Sequence, residues 1–210
     1  MTRYNLGCGS QYIDSYINVD FPESEHNVNH DVKADLYTDI LEMKYEECDE
    51  IRSHHFFEHF NYYDSLALLL KWTEALKIGG TLVIDVPDLE ALCRAYLVAD
   101  TETKFRVARY LFGSHEAKWA FHLNNWGKDT LSYVLIKLGF SIEEYQSYGE
   151  PNSKQPNCGM TITAVKRKAH SREYLLGELD KILELYQNGR DTDFENRLGQ
   201  YFKNEMRKKI

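Results

Sequence analysis

Three groups of residues in this chain have types and spacings that can do chemistry. The first is the turn Gly7-Cys8-Gly9, preceded by Asn5 and followed, after Ile17-Asn18-Val19, by Asp20. A glycine turn lets main chain approach a ligand where a Cβ would collide. A carboxylate at the tip of the next strand can accept hydrogen bonds from both hydroxyls of a ribose. The pair predicts a nucleoside-bearing ligand at the carboxyl edge of a parallel sheet. The plainer reading of Asp20 is a cap for the turn after it. The second group is His55-Phe56-Phe57-Glu58-His59, an H-x-x-E-H match. On one long helix that pattern puts two imidazoles on a face to hold zinc, with the glutamate as base. Here His54 and His55 are predicted to end a strand, which removes the helix, and no metal is expected. The third group is His115 and His122, flanking Lys118 and Trp119. An imidazole titrates near neutrality and can take a proton from a hydroxyl, so both are candidate catalytic residues. A surface or packing role is the alternative for each.

Regular elements must bring these groups together. Strands are predicted at Tyr4 to Leu6, Tyr16 to Asp20 and Asp49 to His54, with a polar loop from Phe21 to His30. Apolar Leu66, Leu69, Leu70, Trp72 and Leu76 recur at helical spacing within Tyr63 to Leu76. Gly79-Gly80 then turns the chain into Thr81 to Val86, the strongest strand pattern, which Pro87 stops. Asp88 reads as the N-cap of a helix from Leu89 to Ala99. Lys104 to Trp126 is rich in His and aromatics and gives no clear period. A helix from Asp129 to Leu138, closed by Gly139, leads to two last strands, Phe140 to Tyr148 and Met160 to Lys166. Strands alternating with helices predict an α/β fold with a doubly wound, mostly parallel sheet. Beyond Lys168 the apolar spacing predicts a two-helix tail, its second helix opened by a Thr192/Glu195 capping box. The domain reading is therefore 1–168 with an extension at 169–210. The tail's apolar stripes predict packing on the main domain, or else a homodimer contact.

Composition narrows the function classes. A hydrophobic share of 43% supports a packed core. The excess of 33 acidic over 25 basic residues leans away from a nucleic-acid partner, which would need a basic stripe. No apolar run approaches the ~20 residues of a membrane span. The early first strand leaves no room for a leader, and the four scattered cysteines form no CxxC pair. A cytoplasmic protein without disulfides is the expectation.

A dinucleotide fingerprint would carry a third glycine, but position 12 is Tyr, and Asp20 comes too soon for a helix between the strands. The chain instead resembles class I S-adenosylmethionine (SAM)-dependent methyltransferases. The motifs are Leu6-Gly7-Cys8-Gly9-Ser10, Ile17-Asn18-Val19-Asp20, Ala34-Asp35-Leu36, Phe57-Glu58-His59-Phe60 and Leu76 through Asp88. It looks most like a bacterial branch in which the LGCG and INVD motifs are joined by a short loop. The later Trp126, Leu131 and Leu138-Gly139-Phe140 are similar to that branch too.

The resemblance implies a Rossmann-like fold over residues 3–168 and roles for particular positions. Gly7 and Gly9 would run against the methionine part of SAM. Asn5 and Cys8 belong to the same cofactor-binding loop, Cys8 as a small residue that fits the turn. Asp20 would hold the ribose hydroxyls. Asp35 would accept from the adenine amino group, or else cap the helix after it, with Leu36 on the ring. His54 would lie beside the methyl. His115 and His122 would sit in an insertion closing over the acceptor. The implied activity is methyl transfer from SAM to a small-molecule or saccharide-linked acceptor, releasing S-adenosylhomocysteine. A non-catalytic SAM-binding scaffold and an NAD(P)-dependent oxidoreductase are the alternatives.

Overall fold

A computed structural model describes residues 1–20, 31–33, 43–187 and 193–208. Asp35, Leu36, the expected loop from Phe21 to His30 and Thr192 of the expected capping box lie outside the described residues. Among the described residues seven strands form one sheet: β1 (Arg3–Leu6), β2 (Ile17–Asp20), β3 (Val32–Lys33), β4 (Cys48–His54), β5 (Leu76–Pro87), β6 (Phe140–Tyr148) and β7 (Gly159–Lys166). Their order is β3-β2-β1-β4-β5-β7-β6. The first five strands pair in parallel, and β7 runs antiparallel between β5 and β6. The expected mostly parallel α/β sheet is present. The order reverses between β1 and β4, so the crevice at their carboxyl ends is the place for a ligand in such a sheet.

Helices α1 (Tyr62–Ala75), α2 (Leu89–Val98), α3 (Thr101–Phe112), α4 (Lys128–Lys137), α5 (Arg172–Gln187) and α6 (Asp193–Lys208) complete the fold. Asn61 opens α1 by accepting the Asp64 N–H at 3.0 Å, and Asp88 opens α2 by accepting the Ala91 N–H at 3.1 Å. Each satisfies a donor that a helix start leaves unpaired. The apolar spacing read along α1 is its core face: Leu66, Leu69, Leu70 and Trp72 are buried against the sheet. Complete burial of one such side chain contributes on the order of 1.5–3 kcal/mol. In the tail, Leu175, Leu179, Ile182 and Met206 enter this same core, and Tyr186 stacks on Tyr62 at 3.9 Å. No helix among the described residues is long and apolar enough to cross a membrane.

Two predicted elements differ. Strand β5 begins at Leu76, which pairs with Cys48, and the ladder shifts before Thr81 joins Glu50. The Gly79-Gly80 turn is therefore an irregularity inside a strand rather than a connector ahead of it. The aperiodic segment holds α3, capped by Asp100 on the Thr103 N–H at 2.8 Å. Only Thr103 and Val107 of α3 are buried, so its apolar stripe is too narrow to read as a period.

Candidate active site

The glycine turn follows β1 directly. Gly7 has φ +62°, and a Cβ there would sit 2.5 Å from the Phe56 ring. Only glycine accepts that backbone and that contact without strain. The turn is pinned to β2 by two N–H donors: Cys8 to the Val19 carbonyl at 3.1 Å and Gly9 to Asp20 Oδ2 at 2.6 Å. Asn5 is buried beneath it, its amide donating to the Gln11 carbonyl at 2.7 Å and to Asn18 Oδ1 at 2.9 Å. It braces the turn from below and does not line the cavity above. Asn18 is the other half of this brace, a pairing that local spacing does not reveal.

Gly7, Cys8, Gly9, Asp20 and His54 line one cavity of about 290 Å³, together with Phe56, Phe60 and Trp119. Burial, then the charge and hydrogen bond of Asp20, push the Cys8 thiol up to about 12. It stays protonated at neutral pH and offers no thiolate nucleophile.

At the carboxyl ends of β4 and β5, Asp85 gathers its neighbours. Thr161 Oγ donates to Asp85 Oδ2 at 2.5 Å and the Tyr148 hydroxyl donates to Oδ1 at 2.9 Å. Nε2 of His54 and of His55 each lie 3.6 Å from Oδ1. His55 has φ +47°, a left-handed conformation that is costly without glycine. Its N–H holds the Asp85 carbonyl at 2.9 Å, its Nδ1 meets Glu58 Oε1 at 3.1 Å, and its Nε2 meets the Tyr148 oxygen at 3.2 Å. The Tyr148 proton is committed to Asp85, so both nitrogens of His55 act as donors, which is the imidazolium state. Burial alone would lower the pKa of His55, but the hydrogen bond and charge of Glu58, with Asp85, hold it above the usual imidazole value. Burial keeps His54 below that value.

A second cavity of about 300 Å³ adjoins the first and shares His55, His59 and Trp119 with it. Its own lining includes Glu58, Arg109, Tyr110, Gly113 and His122. Phe57–His59 is a short 3-10 turn, so the H-x-x-E-H residues do not share the helical face that a zinc peptidase needs. His122 arrives from the loop after α3. That loop folds back on Gly113, where a Cβ would lie 2.0 Å from the Ala120 carbonyl. Burial holds His122 below the usual imidazole value, against the pull of Glu58. His115 is placed differently. It is exposed, stacks on Phe121 with centroids 4.3 Å apart, meets the Phe112 carbonyl at 2.8 Å, and lines neither cavity.

Sequence reasoning passed over Asp85, Tyr148 and Thr161. A signal was present: Asp85 is an acid inside the most apolar strand, and a buried charge requires partners.

No protein-family model matches the sequence, and no curated protein is similar to it in sequence. The fold, by contrast, matches many solved SAM-dependent methyltransferases. A Haloferax volcanii protein solved in complex with the Trm112 methyltransferase activator superposes with a TM-score of 0.57 at 15% identity, covering 81% of this chain and 84% of its own. A SAM-dependent methyltransferase from Mesorhizobium loti gives 0.53 at 17% identity, over 78% and 90% of the two chains. The 1,6-didemethyltoxoflavin-N1-methyltransferase of Burkholderia thailandensis, solved with S-adenosylhomocysteine bound, gives 0.51 at 13%, over 80% and 71%. The sheet is that of the class I methyltransferase fold.

Proposed function

We propose that this chain is a SAM-dependent methyltransferase that binds the cofactor over Gly7–Gln11 and Asp20 and seats its acceptor in the adjoining cavity. The observation that carries this reading is the pair of cavities at the switch point of the sheet, joined through His55, His59 and Trp119. The donor set suits the cofactor. Asp20 offers a carboxylate to a ribose diol, the glycine turn allows close main-chain approach, and Phe56, Phe60 and Trp119 offer apolar and aromatic surface to a sulfonium. Bound SAM supplies an electrophilic methyl group on a positively charged sulfur.

The chain's own residues then position and shield. Trp119 and Phe60 offer aromatic surface on the cofactor side. His55, fixed between Glu58 and Tyr148, forms a rigid wall between the two cavities. Glu58, His59 and His122 line the acceptor cavity, so a hydroxyl placed there meets a buried carboxylate and two half-buried imidazoles. In-line placement of nucleophile, methyl and sulfur contributes most of the rate in such a transfer. A small or saccharide-linked hydroxyl compound is the acceptor class we assign. His115 has no part in this scheme.

The test is calorimetric titration of the purified chain with S-adenosylhomocysteine, SAM and NAD. Binding of the first two and not the third is expected, with a loss of at least about tenfold in Asp20→Ala, since a hydrogen bond to a charged group is worth about 1.5–3 kcal/mol. Binding of NAD alone, or an unchanged affinity in Asp20→Ala, overturns the reading.

A further inference from the structure

Glu58, His59 and His122 bring a carboxylate and two imidazoles to one point, their ligand atoms all within 4.8 Å of one another. The carboxylate is incompletely satisfied. Glu58 is 1% exposed, its Oε1 is held by His55, and its Oε2 has no hydrogen-bond partner among the described residues. A buried carboxylate oxygen left in that state carries its full desolvation cost unless something occupies the space before it.

The two imidazoles are aimed. Nδ1 of His59 lies 2.9 Å from the Phe121 carbonyl, and Nδ1 of His122 lies 2.8 Å from the Tyr110 carbonyl. A carbonyl only accepts, so each Nδ1 donates, and each neutral ring has its lone pair on Nε2. Main-chain carbonyls behind Nδ1 orient metal-bound histidines in this same way. The frame is also tied together. The N–H groups of Leu123 and Asn124 both donate to the Glu58 carbonyl, at 2.9 and 3.2 Å, so the loop bearing His122 is fastened to the turn bearing Glu58.

We propose that Glu58 Oε2, His59 Nε2 and His122 Nε2 bind a divalent first-row transition-metal ion whose open positions face the second cavity. Two imidazoles and one carboxylate without a thiolate suit zinc, manganese or iron(II). Bond lengths of about 2.0–2.2 Å set the ligand atoms of a tetrahedral site about 3.4 Å apart, so side-chain rotations that move these atoms by about 1–1.5 Å close the site. The assignment differs from the H-x-x-E-H reading of the sequence and from its expectation of no metal. His55 orients the glutamate and is not a ligand, Glu58 is a ligand and not a base, and His122 comes from a distant loop.

The site's role in transfer rests on the methyltransferase reading; its existence does not. In that role the ion polarises an acceptor hydroxyl, as Lewis-acid metals do. The hydroxyl oxygen forms the bond to the methyl carbon, the carbon–sulfur bond breaks with its electron pair left on sulfur, and the hydroxyl proton passes to water. His122 then holds metal and takes no proton.

The full chain, stripped by a chelator and dialysed, would be titrated with Co²⁺, followed by visible absorption, and with Mn²⁺ and Zn²⁺ by calorimetry. One saturable site is expected. Glu58→Gln and His122→Gln should each weaken it by at least about tenfold, with His59→Gln as a third variant should one of these fail to fold. His122→Gln should keep its S-adenosylhomocysteine affinity. Metal binding without S-adenosylhomocysteine binding would leave this site standing and remove the transferase reading. No saturable binding, or binding unchanged in every folded variant, overturns the proposal.

Discussion

Asp85 and Glu58 are both buried acids beside histidines, at 5% and 1% exposure, yet their surroundings differ. Asp85 has a donor on each oxygen, Thr161 on one and Tyr148 on the other. Glu58 has one oxygen held by His55 and one with no partner among the described residues. A satisfied buried acid clamps strand ends together, whereas a half-satisfied one costs stability and is retained where a ligand completes it. The first cluster fastens β4 and β5 to β7 and the end of β6; the second faces a cavity.

The largest effect should come from Asp85→Ala, which leaves the half-buried Tyr148 and Thr161 hydroxyls without their acceptor. A loss of about 2–3 kcal/mol in urea-denaturation stability is expected, the scale of hydrogen bonds to a charged group. A loss below that of Glu58→Gln would erase the distinction between the two acids. Glu58→Gln should cost about 1 kcal/mol, because its amide oxygen still accepts from His55 Nδ1 although the charge opposite that ring is lost. Tyr148→Phe should cost about 1 kcal/mol by the same assay, since Thr161 still serves Asp85.

The histidines give a sharper contrast by pH. In proton-detected NMR titrations, His55 should titrate above 6.5 and His122 below it. The signs for stability are opposite. The contribution of His55 is complete below pH 6.5 and fades as pH rises through its raised folded value. That of His122, held neutral by burial, is complete above pH 6.5 and is lost as pH falls through its lowered folded value. The two crossing the other way would reverse the roles given to the clusters. The smallest effect belongs to His115→Ala. An exposed ring outside both cavities should change stability by less than about 0.5 kcal/mol and leave S-adenosylhomocysteine affinity alone. A tenfold loss would return His115 to the site.

Much of the architecture was legible because local rules carried it. The apolar run at Thr81 to Val86, the cap at Asp88, and the spacing along α1 each depend on residues within one or two turns of each other. Strand β5 escaped at its start, since Leu76 joins the ladder only because Cys48 lies alongside. Helix α3 escaped because most of its residues face solvent. One loop carries both His115 and His122, and the fold-back at Gly113 turns His122 toward the second cavity and leaves His115 outside both.

The order of glycine, acid, helix and strand along the chain was enough to predict a mostly parallel sheet and to point to its carboxyl edge for a ligand, because those features follow from backbone conformation and apolar period. Which side chains meet there was decided by the tertiary structure. Glu58 and His122 are far apart in sequence and become neighbours through two main-chain bonds to one carbonyl. Nothing in their local spacing encodes that encounter, since an imidazole's role is set by what packs behind its other nitrogen.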